Sequence, residues 1–145
     1  MGIVCHMIRL ANPYFPGQEE ITVEALVDTG ATHLCIPEHI ALQLRLTILK
    51  EREVVTADGL HKLVNYAGPV KVSVLGRDCF VGAQVSGDQV LLGAIPMEDM
   101  DLVVLPREQR LSVNPAAPNI PMALAKSLHR SRVLRGNAAG GASAP

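Results

Sequence analysis

The 145 residues suffice for one domain with a real core, since 48% of them are apolar in the broad count. Two Tyr, two Phe and no Trp mean that this core is built from Val, Leu and Ile, and they argue against stacking platforms for single-stranded nucleic acid. The net charge of −1 hides an asymmetry: residues 115–145 hold Lys126, Arg130, Arg132 and Arg135 and no acid, so all 14 acidic residues lie in 1–114.

No stretch approaches the ~20 consecutive apolar residues that span a bilayer. The N-terminus has neither the positive start nor the long apolar centre of a secretion signal. Met1-Gly2 opens like a myristoylation site, but His6 stands where Ser or Thr is needed. Cys5, Cys35 and Cys79 are spaced too widely for a disulfide framework or a zinc site, so Cys35 and Cys79 are expected as small core residues. No metal or other cofactor, no membrane and no nucleic-acid partner is expected. The reducing cytoplasm is the expected compartment.

In chain order, Ile3 to Leu10 reads as a first strand and Asn12-Pro13-Tyr14-Phe15-Pro16-Gly17 as a turn. Ile21 to Val27 returns as a second strand, with Ile21, Val23 and Ala25 alternating against Thr22 and Glu24. That strand delivers Asp28-Thr29-Gly30 onto a Gly-containing turn. A carboxylate at the end of a buried strand is costly unless it is paired, hydrogen-bonded or protonated. The chain turns apolar again at Leu34-Cys35-Ile36. Pro37 then opens a short helix at a first-turn position, Glu38 suits the positive end of its dipole, and Ile40, Ala41 and Leu44 form its buried stripe.

Glu53 to Thr56 leads up into a hairpin and Leu60 to Val64 leads down, around Ala57-Asp58-Gly59. Asp-Gly at the tip suits a type I′ turn, with positive φ at both Asp58 and Gly59. Val70 to Leu75 and Cys79 to Val85 are the next strands, joined by a turn at Gly76-Arg77-Asp78. Ser86-Gly87-Asp88 turns the chain into Val90-Leu91-Leu92, which ends in Gly93-Ala94 before the helix-like stretch Pro96 to Met100. Leu102 to Leu105 and Leu111 to Val113 complete the set. Many short strands at roughly 8–12-residue spacing predict an all-β fold with one or two short helices.

After Asn114 the composition changes. Pro115, Pro118 and Pro121 interrupt the chain, Met122 to Leu134 has the pattern of a short basic helix, and Gly136 onward is rich in Gly and Ala. The division expected is a domain over 1–114 and a basic, mostly disordered tail over 115–145 that folding does not need.

The run Val27-Asp28-Thr29-Gly30-Ala31-Thr32, followed by Leu34-Cys35-Ile36-Pro37, resembles the active-site loop of the aspartic proteases, and Val90-Leu91-Leu92-Gly93-Ala94 resembles the strand that threads beside it. Over residues 1–114 the chain is similar to the small single-domain retropepsin-like proteins of bacteria. The resemblance implies an acid-protease barrel in which each chain is a single D-T-G lobe, active as a homodimer. It implies an aspartic endopeptidase with Asp28 of each subunit as the catalytic carboxylate and an extended peptide as substrate. Thr29 and Gly30 then support the site, Ala31 and Thr32 line the groove, and Ala57, Asp58 and Gly59 form the tip of a flap that closes over the peptide. Viral retropepsins carry an acid where Thr32 stands and an Arg where Ala94 stands. Here both are missing together, and His33 beside them is either a groove residue or a solvated histidine.

Two other readings use the same residues. One is a catalytically silent dimeric module that keeps the fold and only binds peptide. Intact Asp28, Thr29 and Gly30 weigh against it. The other is a nucleic-acid or membrane adaptor acting through the basic tail, against which the scarce aromatics and the acidic body count.

Overall fold

The computed structural model describes residues 3–122. Strict alternation pairs the first two strands: β1 (Val4–Ala11) and β2 (Ile21–Val27) run antiparallel in unbroken register from Val4↔Val27 to Leu10↔Ile21. This sends Ile8, Leu10 and Ala25 inward. The chain continues through β3 (Leu34–Ile36), α1 (Glu38–Gln43), β4 (Thr47–Val55), β5 (His61–Val74), β6 (Arg77–Val85), β7 (Val90–Leu92), α2 (Ala94–Met100), β8 (Leu102–Leu105) and β9 (Arg110–Val113).

The strand order β1-β2-β7-β3-β6-β5, with β5 pairing back onto β1, closes a six-stranded barrel. Closure removes most free edges. The strand β4 lies outside the ring and pairs only with β5, so the β4–β5 hairpin projects from the barrel. Strands β8 and β9 form a small separate sheet. The core is Val, Leu, Ile and Ala with Met97, Met100 and Cys79, and no aromatic joins it among the described residues. The all-β barrel with two short helices therefore matches the sequence reading.

Several local expectations change. The strands expected at Leu60–Val64 and Val70–Leu75 are one strand, β5, which serves β4 with its first half and β1 with its second. Pro69 has no N–H to give, so the ladder with β6 slips between Ala67 and Val70 instead of ending there. Strand β4 begins at Thr47, not Glu53, because β5 extends far enough to pair its whole length. Pro37 sits at the N-cap, one residue before helix α1, and its carbonyl accepts from the N–H groups of Ile40 (3.1 Å) and Ala41 (3.2 Å). The expected stripe of Ile40, Ala41 and Leu44 is buried.

The turn expected at Gly76-Arg77-Asp78 is instead Leu75-Gly76, since Val74 pairs with Arg77. Both turn residues have positive φ, 52° at Leu75 and 79° at Gly76, which is type I′ geometry. Arg77 is thereby drawn into the interior, where it is 6% exposed. Its Nη1 donates to the carbonyls of Met100 (3.0 Å) and Asp101 (2.9 Å), and its Nη2 donates to the carbonyl of Ala117. The guanidinium thus caps α2 and holds down the chain beyond β9. Removing it leaves the Met100 and Ala117 carbonyls without their donor, while that of Asp101 still accepts from Asn114 N–H (3.0 Å), so Arg77→Met is expected to cost about 2 kcal/mol in denaturant unfolding.

Residues 115–122 run along the body. Ala117 is buried, and the Asp101 carboxylate accepts from the Met122 N–H (3.0 Å) and the Asn114 side-chain amide (3.1 Å). Those two donors, the Met122 N–H first, hold the Asp101 carboxyl below its ordinary pKa. Cutting the chain after Asn114 removes the Ala117 anchor and is expected to lower Tm by about 5 °C. Cutting after Met122 is expected to leave Tm within about 2 °C. The basic helix expected from Met122 to Leu134 and the Gly/Ala-rich end lie, apart from Met122, outside the described residues.

Candidate active site

Strand β2 ends at Val27 because the next residues leave the ladder to make the Asp28 turn. The backbone of Asp28 is fixed on both sides: its N–H donates to the Leu92 carbonyl (3.0 Å) and its own carbonyl accepts from Ala31 N–H (3.1 Å). The side chain is fixed as well, since Oδ1 accepts from Gly30 N–H at 2.9 Å. Asp28 is half-buried, while Thr29, Gly30 and Thr32 are exposed and Ala31 is half-buried. The motif therefore sits at the surface with its carboxylate held from below. Among the described residues no other carboxylate is bonded to it.

Strand β7 runs parallel to β2 from Ala25↔Val90 to Val27↔Leu92 and antiparallel to β3 at Cys35↔Leu91, so it passes between them. Beyond it, Ala94 N–H donates to the Ala31 carbonyl (2.8 Å) and Ile95 N–H to that of Thr32 (2.9 Å). Two positions where viral retropepsins place side-chain charge, Thr32 and Ala94, are thus tied into one loop crossing by backbone bonds. Gly93 lies at the crossing. A Cβ there would stand 2.7 Å from the Ala31 oxygen and 2.9 Å from the His33 nitrogen, and closer still to the His33 oxygen. Only glycine allows the two segments to meet this closely.

Beneath the loop, Cys35 is buried, with its Sγ 3.9 Å from Gln84 Nε2. Burial first, and then the nearby Asp28 charge, push its thiol pKa up. Burial likewise pushes the Cys79 thiol up to about 12. Both cysteines are buried core residues, as the sequence suggested, and burial disfavours the thiolate that a nucleophile needs.

The projecting hairpin carries the other expected site residues. Val55 pairs with His61, Thr56 N–H donates to the Leu60 carbonyl (2.9 Å), and Gly59 N–H donates to the Thr56 carbonyl (2.9 Å). The loop is therefore Ala57-Asp58-Gly59. Only Gly59 has positive φ, at 83°, so the tip is not the two-residue type I′ turn expected. It is a three-residue loop in which a type I turn is followed by a left-handed glycine. The Asp58 carboxylate explains the choice: it accepts from the Thr56 hydroxyl and from Leu60 N–H (3.3 Å), which favours Asp58 at negative φ. The Thr56 hydrogen bond, foremost, lowers the Asp58 pKa.

Gly59→Val would meet no neighbour, since a Cβ there has nothing within 4 Å, so its whole effect is backbone strain of about 1–2 kcal/mol. For the flap that the sequence resemblance implies, that strain would oppose closure, and the expected result is a kcat/KM about tenfold lower on a peptide substrate. Unaltered kinetics on a full-length peptide would make the hairpin ordinary surface.

Among the described residues no hydrogen bond joins the hairpin tip to the Asp28 loop. The link lies lower down, through Arg52 and Tyr66, which the sequence did not single out, and His33, which it offered as either a groove residue or a solvated histidine. Arg52 Nη1 on β4 is 2.6 Å from His33 Nε2. The His33 ring meets the edge of Tyr66 at 5.6 Å between centroids, and Arg52 lies over the Tyr66 ring at 5.0 Å. Burial, and then the charges of Arg52 and Lys50, lower the His33 pKa. A guanidinium can only donate, so His33 accepts as a neutral imidazole.

A D-T-G turn on a closed barrel, crossed at a glycine by a second strand and faced by a projecting hairpin, agrees with the comparison with known families. Residues 18–94, more than half of the chain, match the family model described as gag-polyprotein putative aspartyl protease. The chain belongs to that family. No curated protein matches it in sequence. The matched region of this aspartyl protease runs from the approach to β2, through the Asp28 turn and the hairpin, to Gly93-Ala94. Among the described residues no three His, Cys, Asp or Glu side chains gather to hold a metal, and no helix is long and apolar enough to cross a membrane.

Proposed function

We propose that this chain is an aspartic endopeptidase that acts as a homodimer, each subunit giving Asp28 to one shared site. The observation that carries the reading is the Asp28 turn itself: a carboxylate fixed by Gly30 N–H, exposed at its rim, with one D-T-G in the chain. Hydrolysing an amide without metal or covalent intermediate needs one group to take a proton and another to give one. Two carboxylates close together share one proton, because both cannot ionise in the same small site.

In this mechanism the ionised Asp28 takes a proton from a water held between the two carboxylates. The water oxygen attacks the carbonyl carbon, while Asp28 of the partner subunit, protonated, donates to the carbonyl oxygen. Proton transfer to the amide nitrogen then lets the C–N bond break, and the dyad regains its single shared proton. Thr29 braces the two loops across the dimer axis, and Gly30 keeps the approach to the dyad free of side chains. The peptide lies as an added strand between the dyad and the hairpins, bound largely through its main chain, with Ala31 and Thr32 below and Ala57, Asp58 and Gly59 above. The exposure of Thr29, Gly30 and Thr32 in a single chain supports this placing.

The test is cleavage of a mixed peptide library, inhibited by pepstatin and absent with Asp28→Asn. Cleavage that survives both would remove the aspartic mechanism. Peptide binding by wild type with no cleavage under any condition would favour the silent module.

A further inference from the structure

The charges of the β4–β5 hairpin are sorted by face. Residues directly opposite one another in an antiparallel pair share a face, and successive residues along a strand alternate. The register Lys50↔Tyr66, Arg52↔Val64 and Val54↔Lys62 therefore puts Lys50, Arg52 and Lys62 on one face, without an acid. Glu51, Glu53 and His61 take the other, where His61 Nδ1 lies 3.1 Å from Glu53 Oε2. The cationic face is the one turned toward the Asp28 loop, because Arg52 and Tyr66 on it touch His33.

These cations are positioned but not neutralised. Arg52 Cζ is 5.0 Å and Lys50 Nζ 5.5 Å from the centre of the Tyr66 ring. That ring is itself seated, since it occupies the space a side chain at position 82 would need, and Gly82 leaves it free. Arg52 is half-buried and spends one N–H on the neutral imidazole of His33. Among the described residues Lys50, Arg52 and Lys62 form no ion pair. A planar guanidinium held on a ring, with donors to spare, is matched to a carboxylate. An acidic side chain close to a dyad that carries negative charge also needs such compensation.

We propose that Lys50 and Arg52, held on the Tyr66 platform beside His33, form a subsite that selects a Glu or Asp side chain of the peptide substrate. This rests on the endopeptidase reading and gives it a substrate class. The partial burial of Arg52 makes its interaction stronger than an exposed surface pair would be.

The experiment uses octapeptide mixtures with blocked ends, one position fixed as Glu, Gln or Leu and the rest randomised. Cleavage is measured with the wild-type chain, and binding by fluorescence anisotropy with the Asp28→Asn chain. At one position Glu should be bound and cleaved in preference to Gln by about tenfold. The double variant Lys50→Gln/Arg52→Gln should bring that ratio close to one, and Arg52→Lys, which keeps the charge but loses the planar fork, should keep only part of it. Lys50→Gln alone, at an exposed position, should lower it about threefold, which guards against misfolding of the double variant. The proposal is overturned if no position prefers Glu, if the ratio is unmoved in all the Gln variants, or if only peptides with a free terminal carboxylate gain. Cleavage without a Glu preference sinks the subsite alone. A Glu preference in binding without cleavage by the wild type leaves the subsite standing and sinks the hydrolysis.

Discussion

Asp28→Asn is expected to lower peptide hydrolysis by about a hundredfold or more while the protein stays folded. The substitution is nearly isosteric. Asn keeps an oxygen that can accept from Gly30 N–H, the bond that holds the side chain at 2.9 Å in the wild type. The backbone bonds of the turn, to the Leu92 carbonyl and from Ala31 N–H, do not involve the side chain. What is lost is the capacity to carry a proton, which the reaction needs at two points. Unchanged Tm and circular dichroism together with lost turnover would isolate that role. Residual activity above about a hundredth of wild type would remove Asp28 from the chemistry.

Gly93→Ala is expected to have the largest effect on stability. One added methyl would press on backbone atoms of Ala31 and His33, which cannot swing aside as a side chain can. Something must move: either β7 withdraws from β3, or the loop from Asp28 to His33 lifts. Either breaks the short bonds from Ala94 N–H and Ile95 N–H that tie the crossing together. The cost should be about 3 kcal/mol, or roughly 10 °C in Tm. Activity at low temperature should fall as well, since the same displacement moves Asp28. A Tm within about 2 °C of wild type would show that the crossing is looser than its geometry implies.

Most of the barrel was legible because its strands alternate or run apolar between turn residues. Ile21–Val27, Val90–Leu92 and Leu102–Leu105 were read to the residue. What failed were the places where a tertiary partner overrides local chemistry. Pro69 looks like a strand end, yet β6 and β1 supply enough bonds around it to keep β5 running. Leu75 does not look like a turn residue, yet the register of β5 on β6 forces it to positive φ, and the burial of Arg77 follows. The D-G signal at Asp58-Gly59 did mark a hairpin. Its turn type was missed because the Thr56 hydroxyl competes for the Asp58 carboxylate.

The Asp28 turn was legible because the motif is local and its residues are consecutive. Gly93 was legible as the end of an apolar strand, but the contact that demands glycine there depends on three strands meeting. The group formed by His33, Lys50, Arg52 and Tyr66 was not assembled from the sequence. Its signal was present as the alternation of Lys50, Arg52 and Val54 against Glu51, Glu53 and Val55, which only the register of β4 on β5 turns into two faces.

In the proposed homodimer, one active site is built from two chains. This is tested most directly by titrating Asp28→Asn protein into wild type, allowing subunits to exchange, and measuring activity per wild-type chain. With a shared site, a mixed dimer holds one competent carboxylate and is inactive, so a roughly ninefold excess of the variant should reduce that activity to about a tenth. Activity per wild-type chain that stays constant throughout the titration would show that a single chain carries the whole site.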